Sequence, residues 1–139
     1  MIYFEAVDLP ELWEFFTAPP TAIVVDHMGR PDVSKPVDGP EFELFVKFMR
    51  DHGNVWSKVS CPERLSVSGP PALNGEQYAY RDVAPFAKRI VETFPDRVLL
   101  GTDWPHPNLK GRMPDDGLLV DFHPPHCGYA GTATQAARG

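Results

Sequence analysis

The chain has 139 residues, 42% hydrophobic and 23% charged, an ordinary balance for one soluble domain with a core of its own. A net charge of −6 argues against a surface that tracks nucleic-acid phosphates, although a few local arginines can still bind small anions. No run approaches the roughly 20 apolar residues of a membrane helix, and two cysteines, Cys61 and Cys127, are too few for a disulfide framework and fit a reducing compartment.

Met1–Val7 reads as a short apolar strand. It has no basic region ahead of an apolar stretch, so the expectation is a cytoplasmic protein without a leader. Pro10 stands where a helix tolerates a missing N–H, and Leu12, Trp13, Phe15 and Phe16 give that helix its apolar side. Ala22–Val25 is a continuous apolar run, as in a parallel strand buried on both faces, and ends abruptly in Asp26-His27-Met28-Gly29-Arg30. Glu41–His52 carries Phe42, Phe45 and Met49 on one stripe and predicts a second helix, stopped at Gly53. Asn54–Ser60 is the next strand, followed by a Pro/Gly/Ser-rich loop from Cys61 to about Gln77. Val83, Phe86, Ala87, Ile90, Val91 and Phe94 follow helical spacing over Arg81–Phe94, and Arg97–Leu100 is a fourth strand.

Four strands alternating with helices imply an α/β fold with a parallel sheet. Polar residues with chemical uses come directly after the strands, which in such folds is the carboxyl face where ligands bind. Asp26-His27, Ser60–Arg64 and Thr102–His106 are therefore expected on one rim.

Asp103 follows an apolar strand and Gly101, and leads into Trp104-Pro105-His106-Pro107, a stiff loop. A carboxylate there serves as a general base or a metal ligand, and equally as a cap of a loop or helix. His27 ends its strand in the same manner. A histidine so placed is usually a satisfied structural residue, but a shared rim with Asp103 favours a role in polarising a carbonyl or binding a metal. Arg64 is a carboxylate clamp if it faces the rim and a solvated surface arginine if it does not. Arg30 and Tyr3 are weaker candidates of the same kind. Cys61 has no evident activating partner and reads as a structural thiol. His123 and His126 flank two prolines, which argue against a helical face, and read as tail residues. There is no phosphate-binding glycine loop and no G-x-S-x-G elbow.

Val24-Val-Asp-His27-Met-Gly-Arg-Pro31, Trp56-Ser-Lys-Val-Ser60 with Glu63-Arg64, Val98-Leu-Leu-Gly-Thr-Asp103-Trp-Pro-His-Pro-Asn108 and Met113-Pro-Asp-Asp-Gly117 resemble, in order, motifs of the amidohydrolase superfamily. Within it the likeness is to the 2-pyrone-4,6-dicarboxylate lactonases. The resemblance covers roughly residues 1–122 and implies the carboxyl-terminal half of a (β/α)8 TIM-type barrel, strands five to eight, with an irregular tail over 123–139. A complete barrel takes at least about 200 residues, and the His-x-His that the family places after its first strand occurs nowhere in this sequence. By resemblance Asp103 is the base that activates water, His27 assists at the lactone carbonyl, and Arg64 and Tyr3 bind substrate carboxylate. The lactonase branch implies no metal or other cofactor, while other members of the superfamily hold a divalent ion at these positions. The expected partner is a small dicarboxylate lactone. Nucleic acid and membrane are not expected, and exposed strand edges give a route to self-association. An inactive half-barrel and a carboxylate-binding module without turnover remain as other readings.

Overall fold

A computed structural model describes residues 1–18, 20–69, 80–110 and 113–126. Three parallel strands form one sheet in the order β1 (Ile23–Val25), β2 (Val55–Val59) and β3 (Val98–Leu100). The register sets Val25 beside Ser57, and Ser57 beside Val98. Helices α2 (Pro40–Asp51) and α4 (Ala84–Thr93) make the crossovers between successive strands, and α1 (Leu9–Thr17) precedes β1.

The local chemistry accounts for these boundaries. Proline sits at the first or second position of α1, α2 and α4, where its missing N–H would have no intrahelical partner. At the carboxyl end of α2, Arg97 reaches over from the residue before β3. Its Nη1 donates to the carbonyls of Met49, His52 and Val55 at 2.8, 2.9 and 3.2 Å. One guanidinium thus satisfies carbonyls that the helix end leaves open and ties α2, β2 and β3 together.

Val25, Val55 and Val59 turn one face of the sheet toward the helices. There they join Phe45, Phe48, Met49, Val83 and Ile90, all fully buried, in a single core. Residues of the opposite parity, Val24, Trp56 and Lys58, are half-buried. Among the described residues no helix is long and apolar enough to cross a membrane.

Three expectations need correction. Met1–Val7 is not a strand: it contributes one parallel bridge, Ile2 to Val25, with Ile2 N–H donating to Val24 at 2.8 Å. The chain then closes a 3-10 turn over Ala6–Asp8 that feeds α1. Burial of Phe4, Ala6 and Leu9 draws it down toward the core before a second ladder pair can form. The loop after β2 contains a short helix, α3 (Pro62–Leu65), and its residues 70–79 lie outside the described residues. Finally, α5 spans Asp116–His126 and passes through Pro124-Pro125. Leu119 and Phe122, both buried, dock this helix on the core, and the prolines, which lack the N–H that would bond back to the preceding turn, fall in its last turn, so that no further turn has to follow them. Residues 127–139, with Cys127, lie outside the described residues.

Gly29 combines a left-handed backbone with a close approach to the core. Its φ is +69°, and a Cβ there would stand 3.0 Å from the Phe45 ring. Gly29→Ala combines left-handed strain with an overpacked core, and is expected to destabilise the fold by about 1–3 kcal/mol in denaturant titration. A midpoint unchanged from wild type would contradict this account.

Candidate active site

Each strand delivers its polar residue by turning into left-handed backbone. After β1, His27, Met28, Gly29 and Arg30 all have φ between 48° and 69°; after β2 it is Cys61 (63°), and after β3 Asp103 (66°) and His106 (57°). Such conformations are costly for residues with a Cβ and concentrate at functional sites. They gather three loops on the carboxyl edge of the sheet, as the βα order predicts.

His27 and Asp103 meet there. Nε2 of His27 lies 3.6 Å from Asp103 Oδ1, with the two side chains 7% and 18% exposed. On the other side of the ring, Nδ1 is 2.8 Å from Ser60 Oγ. A carboxylate accepts but cannot donate, so the arrangement is self-consistent when Nε2 carries the proton and the Ser60 hydroxyl donates to Nδ1. Burial lowers the His27 pKa below its ordinary value of 6.5, opposed by the charges of Asp103 and Asp26. The imidazole is thereby favoured as a neutral group that presents an N–H toward Asp103.

Arg64 projects from α3. Its Nη1 is 3.8 Å from Asp103 Oδ2, and its Nε donates to Cys61 Sγ at 2.9 Å. Burial works against the guanidinium charge, but Cys61 and Asp103 outweigh it and raise the pKa. The Cys61 thiol is pushed up by burial and by Glu63, so it stays protonated and unreactive, as a structural thiol should.

Tyr3 is half exposed, its ring edge-on to that of His27 at 6.0 Å between centroids. Its hydroxyl accepts from Arg30 Nη1, and Arg30 also pairs with Glu5 at 2.9 Å. Arg30 and Arg64 both line an adjoining cleft of about 360 Å³, together with Glu5, Asp32 and Lys35. The four candidates Asp103, His27, Arg64 and Tyr3 therefore stand together, and Arg30 stands with them.

Two residues escaped prediction as members of the site. Ser60 lies in the stretch assigned to the rim, but no sequence signal shows that its hydroxyl orients His27. Lys58 points from the half-buried face of β2 and pairs with Asp26 at 2.7 Å; its alternation with Ser57 and Val59 is the only hint.

Among the described residues, two groups of possible donor atoms come close together. One atom each from His27, Cys61 and Asp103 lie within 4.8 Å of one another, as do Glu63, Asp103 and His106. In the first group the Arg64 cation contacts both the sulfur and the carboxylate. In the second, His106 has a carboxylate oxygen 3.3 Å from each ring nitrogen.

A family model described as amidohydrolase matches residues 1–137. The chain belongs to the amidohydrolase family. It is 81% identical over 124 residues to a Comamonas testosteroni protein named 2-pyrone-4,6-dicarboxylate hydrolase, covering 89% of this chain and 41% of that relative. To 4-sulfomuconolactone hydrolase of Hydrogenophaga intermedia it is 40% identical over 107 residues, covering 73% of this chain and 32% of the relative. An Agrobacterium tumefaciens protein solved in its apo form superposes with a TM-score of 0.68 at 28% identity, over 86% of this chain and 40% of that one. The chain thus spans about two fifths or less of the length of these relatives, and its strands and crossovers form part of an amidohydrolase barrel.

The neutral state of His27 has a consequence for stability. Its folded pKa lies below the unfolded value, so the unfolded state binds more protons in between, and stability falls as pH drops from 6.5 through the folded pKa. The stability advantage of wild type over His27→Gln, measured by denaturant midpoints, is expected to shrink across that window and to be constant above it. An advantage that grows on acidification would show that His27 is held charged.

Proposed function

We propose that this chain supplies the acid–base wall of a lactone hydrolase site, acting without a metal on a small ring ester that carries carboxylates, such as 2-pyrone-4,6-dicarboxylate. The observation that carries this reading is the facing pair of Asp103 and neutral His27, with Arg64 alongside. Similarity to a 2-pyrone-4,6-dicarboxylate hydrolase and a 4-sulfomuconolactone hydrolase supports the substrate class.

The roles follow from the groups. Asp103 takes a proton from water as its oxygen adds to the lactone carbonyl carbon. The carbonyl oxygen gains charge and is met by His27 Nε2–H, oriented through Ser60. Collapse of the tetrahedral adduct breaks the ring C–O bond, and the proton on Asp103 passes to the departing oxygen. Products are a new carboxylate and the enol of the opened ring. Arg64 and Arg30, with Tyr3, hold the ring carboxylates in paired hydrogen bonds.

Turnover of 2-pyrone-4,6-dicarboxylate by the purified chain is expected to be slow and to fall at least about 100-fold in Asp103→Asn. Unchanged turnover after exhaustive chelation is the outcome expected of a site without a metal. Arg64→Ala is expected to raise KM more than it lowers kcat. Folded, monodisperse protein that neither binds nor opens the lactone would overturn the proposal.

A second reading rests on the edge of the sheet. Among the described residues β3 pairs on one side only, and Leu99 and Leu100 are 40% and 44% exposed, next to Trp104 at 75%. An open apolar parallel edge is a template for association. Light scattering is expected to show self-association that Leu99→Lys with Leu100→Lys abolishes; a strictly monomeric wild-type chain would exclude this reading.

A further inference from the structure

Three residues beyond Asp103 lies a buried group that the reaction above does not use. The His106 side chain is 1% exposed, with Nδ1 3.3 Å from Glu63 Oε1 and Nε2 3.3 Å from Asp116 Oδ1. Its backbone N–H donates to the Asp103 carbonyl at 2.8 Å. Glu63 is itself 3% exposed, and its second oxygen, Oε2, is buried without a hydrogen-bond partner. Asp103 Oδ2 shares that condition, and atoms of Glu63, Asp103 and His106 lie within 4.8 Å of one another.

Stability alone does not favour this arrangement. Two carboxylates so close repel, a buried ion pair is commonly no better than well-packed apolar side chains, and His106 and Asp103 both adopt left-handed backbone. The contacts do fix geometry. His106 links α3, through Glu63, to the start of α5, through Asp116, and its main chain closes the turn that carries Asp103. Glu63 adds negative charge close to Asp103, which leaves Arg64 and His27 as the favourable neighbours of the carboxylate.

We propose that His106 is a positioning residue: by holding Glu63 and Asp116 on its two ring nitrogens, it fixes the turn that aims the Asp103 carboxylate at His27 and Arg64. The kinetic consequence rests on the lactonase reading; the geometric one does not.

Both are tested with His106→Asn, since asparagine tolerates left-handed backbone but lacks the reach of imidazole, and with Glu63→Gln, which keeps the shape and removes the charge. On 2-pyrone-4,6-dicarboxylate, kcat is expected to fall roughly 10- to 100-fold, as for outer partners of reactive groups elsewhere, with KM changed less than about twofold. The second readout needs no turnover. The groups that face His27 are Asp103, Asp26, Arg64 and Lys58, and the Asp103 charge raises its pKa. Displacing Asp103 therefore lowers the His27 titration midpoint, followed by NMR of the ring protons. Asp103→Asn gives the size of the full effect, and His106→Asn is expected to move the midpoint in the same direction. If Asp103→Asn shifts His27 and His106→Asn does not, the proposal is overturned, whatever the turnover. A shift in both without any wild-type turnover would instead overturn the lactonase reading and uphold the positioning role. Should His106→Asn fail to fold, Glu63→Gln decides through the same two readouts.

Discussion

The site depends on how the backbone leaves the sheet. Each of the three strands is followed within two or three residues by one of positive φ: His27 after β1, Cys61 after β2 and Asp103 after β3. An extended exit would send these side chains along the strand axis and apart. The left-handed exit folds each loop back across the carboxyl edge, which brings the His27 ring within 3.6 Å of Asp103. Such a conformation costs on the order of 1 kcal/mol or more for a residue with a Cβ, so the surrounding structure must outweigh it several times over. The core under the edge does so, with Val25, Val55 and Val59 locked against Phe45, Phe48 and Ile90. Gly29 is the one position in the series where backbone and packing both rule out a Cβ.

Within that frame the charges alternate. Asp103 is approached by Arg64 and by the neutral His27, and the Glu63–His106 pair lies close by. Lys58 neutralises Asp26 a short way below, so that Asp26 raises the His27 pKa less than it would alone. The balance matters because burial and carboxylates pull the imidazole in opposite directions. A charged His27 would pair with Asp103 as an ion pair. On the proposed reading, a neutral one would leave Asp103 available as the base and keep an N–H for an oxygen that becomes negative only as the reaction proceeds.

Much of this was legible in the sequence, for identifiable reasons. The crossover helices show because Phe42, Phe45 and Met49, and likewise Phe86, Ile90 and Val91, repeat at helical spacing. The rim shows because polar residues directly follow apolar runs. What failed to show was decided by distance in space. Met1–Val7 has strand composition, but burial of Phe4 and Ala6 turns it away after one bridge. The prolines near His126 read as a helix stop, yet Leu119 and Phe122 dock the helix firmly enough to carry them. Ser60 and Glu63 look like ordinary polar residues beside a motif, since their partners His27 and His106 lie 33 and 43 residues away.

How much of an active site can reside in two fifths of a barrel is a question of solvent as much as of residues. Electrostatic assistance weakens steeply when water reaches the interacting groups. Here His27, Arg64 and Asp103 are only 7%, 11% and 18% exposed. The Asp103–His27 pair is therefore largely desolvated. Tyr3 differs: it is half exposed, and Arg30 faces a cleft bounded as much by Glu5 and Asp32 as by cations. On the proposed reading, the groups that would move the proton are held in place together with Arg64, while Tyr3 and Arg30, which would help to grip the substrate carboxylates, compete with water and with neighbouring acids. A site built this way would lose affinity before it lost the capacity to activate water.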